Sequence, residues 1–96
     1  MLVNDIVNSC AHEKVAEAAL ASIGASFHDR VRSAARCRSQ SAGAFAATTI
    51  ASFRLSAHHD DYTELQDAIR GADQPVLSGL RMIIERELRR EDIRAA

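Results

Sequence analysis

The sequence predicts an all-α fold, a small bundle of four to five helices. Three observations predict it. Apolar residues recur at helical spacing almost throughout. Val, Ile and Thr nowhere alternate with polar residues for long enough to make a strand. Helix formers, caps and terminators also agree at most of the expected boundaries. With 96 residues the chain has the size of one domain. Although 47% of it is apolar, 18 residues are Ala, so large side chains able to fill a core are scarce. Such a domain gains stability from self-association, and the reading is a bundle intertwined or packed as a homodimer.

The first helix is expected near 9–23, where Ala, Glu and Lys are the strong formers. Asn8 or Ser9 can cap it, and Gly24 can end it in the left-handed conformation. Ahead of it, Leu2, Val3, Ile6 and Val7 make a short apolar lead-in. A second helix is expected near 26–37, with Phe27, Val31, Ala34 and Ala35 on one face and Arg32 and Arg36 opposite. After the polar break Arg38-Ser39-Gln40-Ser41, Ser41 caps a third helix near 41–57. Its apolar stripe is Phe45, Ala46, Thr49, Ile50 and Phe53, and Gly43, Ala44, Ala47 and Ala51 keep the remaining surface small.

His58-His59-Asp60-Asp61 reads as a linker. Asp61 and Glu64 have capping-box spacing for a short helix near 61–70 that buries Leu65, Ala68 and Ile69. Gly71 ends it, and Asp73-Gln74-Pro75 signals another start. The last helix, near 75–93, carries Val76, Leu77, Leu80, Ile83, Ile84 and Leu88 on its apolar side.

The formal net charge is −1, but its distribution is uneven. Residues 27–56 hold Arg30, Arg32, Arg36, Arg38 and Arg54 against the single acid Asp29. A local basic stretch in a near-neutral chain is a candidate anion-binding face, with Arg32, Arg36 and Arg38 as phosphate contacts. Asp29, three residues before Arg32, is placed to pair with it. No apolar run reaches the roughly 18 residues that cross a bilayer. Met1-Leu2-Val3-Asn4-Asp5 lacks the basic region of a secretory signal. The expectation is a soluble cytoplasmic protein with no membrane partner, in which Cys10 and Cys37 remain unbridged.

Catalysis and metal binding find little to build on. The sequence has no Gly-rich phosphate loop, no Gly-x-Ser-x-Gly elbow and no His-Glu-x-x-His. Cys10, His12, His28, Cys37, His58 and His59 include enough donor types for zinc. On one helix, however, Cys10 and His12 would point about 200° apart. The reading is therefore no enzyme, no metal and no cofactor.

Residues 24–53 combine Phe27, Val31 and Ala34-Ala35-Arg36 with a short turn ending at Ser41, then Phe45-Ala46, Thr49-Ile50 and Phe53. This layout resembles the helical hairpin of ribbon-helix-helix DNA-binding repressors. The resemblance implies a small transcriptional regulator that contacts duplex DNA. Ser41 and the amides of Ala42 and Gly43 would anchor a phosphate at the start of the third helix. It also implies a homodimer with Phe45, Ile50 and Phe53 at its core. The preceding segment, Ala18–Ile23, predicts helix where that family has its strand. The alternative is a helical interaction or adaptor module that binds no nucleic acid.

Overall fold

The structure, a computed structural model, describes Asn8 and residues 10–95, with side chains as far as Arg90. Five helices are assigned over these residues: α1 (Glu13–Ile23), α2 (Ala25–Cys37), α3 (Ala42–Ser56), α4 (His59–Ile69) and α5 (Pro75–Ala95). The all-α bundle expected from the pattern is the fold, and Ala18–Ile23 is helical. The Leu2–Val7 lead-in lies outside the described residues.

Boundaries differ from expectation in two places. Asn8 and Cys10 are helical, as expected near residue 9, but the backbone turns at Ala11 and His12, and α1 starts at Glu13 with His12 as its cap residue. Ser9 lies outside the described residues. The presumed linker His59–Asp61 is the first turn of α4. Asp61 is therefore not the cap but the third helical residue, and its Oδ2 accepts from the backbone N–H of His58 at 2.9 Å. The sequence signal of an acid reaching back over three residues was real; its register begins three residues earlier. Of the three residues expected to be buried on this helix, Leu65 and Ile69 are buried and Ala68 is exposed.

The joints follow from backbone chemistry. Gly24 takes φ +148° and ψ +155° between α1 and α2, a region that is essentially glycine's own and not the left-handed helical one expected. At the end of α2 the amide of Gln40 donates to Ala35 O and that of Ser39 to Arg36 O, at 2.9 and 3.0 Å. This is a Schellman closure whose left-handed position, at φ +56°, is Ser39 instead of Gly. Ser41 caps α3 as expected: its Oγ accepts from the amide of Ala44 at 3.1 Å.

Helix α3 is the centre of the bundle. It packs most extensively on α1, then on α2 and α5, while α4 lies against α5. Phe45, Ala46, Thr49, Ile50 and Phe53 form its buried face. They meet Ala16 and Leu20 of α1, Phe27, Val31 and Ala35 of α2, and Leu80, Ile83, Ile84 and Leu88 of α5 in one cluster. Val76 is only partly buried at its edge. Large side chains from α1, α2 and α5 of the same chain thus complete the core around α3. Phe45 and Ile50 are fully enclosed and Phe53 is 9% exposed, so burying them needs no second subunit. The radius of gyration, 12.4 Å, matches the roughly 12.5 Å of a self-contained domain of this length.

Arginines finish the edges of this core. Arg38 lies 4.9 Å from the ring centre of Phe45, Arg86 5.9 Å from that of Phe53, and Arg30 and Arg81 both cover Phe27. Arg30 and Arg81 stay about half exposed over their ring, whereas Arg38 and Arg86 are more withdrawn and bonded to Glu87 and Asp61.

Candidate functional site

Of the phosphate anchors expected from the sequence, Arg32, Arg36, Ser41 and Ala42 line a groove of about 570 Å³ among α1, α2 and the start of α3, together with Glu13, Lys14 and Glu17; Arg38 and Gly43 do not. The helix start does attract anions, and it already has them. Ser41 Oγ donates to Glu13 Oε1 at 2.8 Å. The α1 backbone comes so close that a Cβ built on Gly43 would lie 2.7 Å from the Glu13 carbonyl and 2.8 Å from Glu17 Oε2. Two carboxylates of the chain thus sit at the positive end of α3, where a helix favours negative charge. Ala42 and Gly43 are buried under them.

The three arginines have different fates. Arg32 Nη1 donates to Asp29 Oδ1 at 2.9 Å, the pairing foreseen from their spacing. Arg38 Nη2 donates to Glu87 Oε2 of α5 at 2.8 Å, with both side chains largely withdrawn from water. Nothing in the local sequence shows this bond, which joins residues 49 positions apart. Arg36 stays exposed and makes no ion pair or hydrogen bond among the described residues. Glu17 is also bonded to the Nε2 of His28 at 2.9 Å.

Histidine and cysteine remain dispersed. No group of three or more His, Cys, Asp or Glu side chains that could hold a metal occurs among the described residues. Cys10 is buried, which pushes its thiol pKa up, and Cys37 is exposed; neither is bridged. No described helix is long and apolar enough to cross a membrane.

Opposite the core, α3 presents a second candidate surface. Ala44, Ala47, Thr48, Ala51 and Leu55 fall at i, i+3, i+4, i+7 and i+11, so they share one face. Ala51 and Thr48 are exposed, and Leu55 is 87% exposed. From Ala42 to Phe53 the helix carries no charged residue. The small residues of this face are visible in the sequence, but Phe45, Ile50 and Phe53, expected at a dimer interface, are covered by the chain's own helices, which periodicity alone does not show.

Searches against protein-family models, curated proteins and solved structures give no match to this chain.

Proposed function

We propose that the protein is a non-catalytic helical interaction module that pairs with a second copy of itself through the outer face of α3. One observation carries this reading: a solvent-facing stripe that is uncharged along three turns ends in Leu55, which is 87% exposed. A two-fold axis sets such a face against itself, so any charge on it would meet its own kind. This face brings none. Its small side chains let two helices approach to the short end of the usual 8–10 Å packing distance. Antiparallel pairing sets each Leu55 against the alanine-rich half of the opposite helix and removes it from water. The unbridged cysteines fit a reducing, cytoplasmic setting.

The second reading is the phosphate-contacting DNA regulator. What favours it is Arg36, exposed beside Lys14 and Arg32 along the groove. What weighs against it is the use of Ser41, Arg32 and Arg38 by acids of the same chain. Glu13 and Glu17, lining the same groove, would also face any incoming phosphate. Sedimentation of the free protein, together with a polarisation titration of mixed-sequence duplex DNA at low and moderate salt, separates the two. Self-association without DNA binding supports the module. Salt-sensitive DNA binding by a protein of monomeric mass overturns it in favour of the regulator.

A further inference from the structure

The groove among α1, α2 and the start of α3 carries charges of both signs that do not meet across it. Glu13 and Glu17 come from α1, Arg32 and Arg36 from α2, and Gln40 from the turn before α3. No ion pair or hydrogen bond joins either acid to either guanidinium among the described residues. Each acid is held through one oxygen only, Glu13 Oε1 by Ser41 and Glu17 Oε1 by Nε2 of His28. The second oxygen of each bonds to no described residue, and the Glu17 side chain is 45% exposed.

On the other wall, Arg36 is exposed and unpaired among the described residues. Arg32 beside it is held by Asp29. Gln40 donates from Nε2 to Thr48 Oγ1 at 3.3 Å, and its own carbonyl oxygen accepts nothing from the described residues. Lys14 adds an exposed ammonium at the α1 rim. A purely anionic ligand would meet Glu13 and Glu17, and a purely cationic one would meet Arg36 and Lys14. A ligand with one charge of each sign turns both walls to its advantage. The volume, about 570 Å³, lies in the range of small-molecule sites and leaves room for more than a single amino acid.

We infer that this groove binds a short zwitterionic peptide, its ammonium on Glu13 and Glu17 and its terminal carboxylate on Arg36. One of its backbone N–H groups donates to Gln40 Oε1. A guanidinium holds a carboxylate through two parallel N–H bonds, and an ammonium is a compact donor to carboxylate oxygens. The inference does not rest on self-pairing through the outer face of α3: either can fail without the other.

The test is a titration of the protein with trialanine, followed residue by residue through backbone amide NMR shifts. Saturable shifts are expected at Lys14, Glu17, Arg36 and Gln40. N-acetyl-trialanine lacks the ammonium and trialanine amide lacks the carboxylate. Each should bind about tenfold or more weakly, the loss of a charge-assisted hydrogen bond. Free alanine, which fills far less of the groove, should bind more weakly as well. Arg36→Gln, at an exposed position, should weaken trialanine by about tenfold and leave trialanine amide nearly unchanged, since that ligand brings Arg36 no charge. Arg90→Gln, outside the groove, should leave every titration as it was. The absence of saturable shifts overturns the inference. So does a blocked peptide or free alanine that binds as tightly as trialanine. An Arg36→Gln variant that binds trialanine like the unaltered protein, or loses trialanine and its amide equally, overturns it too.

Discussion

Ser41 Oγ donates a hydrogen bond to Glu13 Oε1 across 2.8 Å while accepting one from the amide of Ala44. A residue that looks from sequence like a local helix cap thereby also ties α3 to the first turn of α1. The same contact decides how the basic hairpin is read. A helix start that binds its own chain's carboxylates has its attraction for anions already met.

The closeness of α1 and α3 at this point leaves no room for a side chain at Gly43. Gly43→Ala would place its methyl 2.7 Å from the carbonyl oxygen of Glu13, a backbone atom that cannot rotate away. The helices must part slightly, and overpacking of this kind costs about 1–3 kcal/mol. Thermal unfolding followed by circular dichroism should show the midpoint falling by roughly 4–8 °C per kcal/mol lost. An unchanged or raised midpoint would show that α1 does not lie against α3 at this distance.

Ser39 offers the opposite opportunity. Its φ of +56° is the left-handed conformation closing α2, which costs a residue with a Cβ about 1–2 kcal/mol relative to Gly. Part of that gain is offset by the greater freedom of Gly in the unfolded chain. Ser39→Gly should therefore stabilise the protein by about 0.5–1 kcal/mol, read as a higher urea midpoint at unchanged slope.

Asp61 gives the fold a pH dependence with a definite sign. The His58 amide first, and Arg86 next, hold its carboxyl pKa below the ordinary aspartate value. A lowered folded-state pKa contributes stability that is fully present above the unfolded value. That contribution is lost as pH falls through the folded one. Asp61→Asn should accordingly be less stable than the unaltered protein at neutral pH. The gap should close as the medium is acidified through and below the usual carboxylate range. Urea denaturation of both proteins at a series of pH values measures it, and a gap that widens with acid would refute the assignment.

How far the sequence speaks for itself depends on the range of the interaction. The faces of α2, α3 and α5 were legible, because Phe27, Val31, Phe45, Ile50, Leu80 and Ile84 repeat at helical spacing and each helix must bury its apolar stripe. Ser41 was legible as a cap because capping is local. The start of α4 was misplaced because two acids, Asp61 and Glu64, offer the same spacing signal, and only the backbone shows which of them reaches back. The fate of the arginines divides along the same line. The pairing of Arg32 with Asp29 is one helical turn long and visible in advance. The bond from Arg38 to Glu87, and the cover that α1 places over Gly43, depend on how distant helices pack. For the same reason Leu55 gave no sign that it would face water.

Self-pairing through the outer face of α3 is tested most directly by sedimentation equilibrium of the protein and of its Leu55→Glu variant at micromolar concentration. The unaltered protein should show a concentration-dependent mass rising from 10.5 kDa toward twice that value. Leu55→Glu would bury a carboxylate in an apolar contact. It should hold the monomer mass over the same range, with its helical circular dichroism unchanged. A mass of 10.5 kDa for the unaltered protein at every concentration, or a dimer indifferent to Leu55→Glu, would contradict the account.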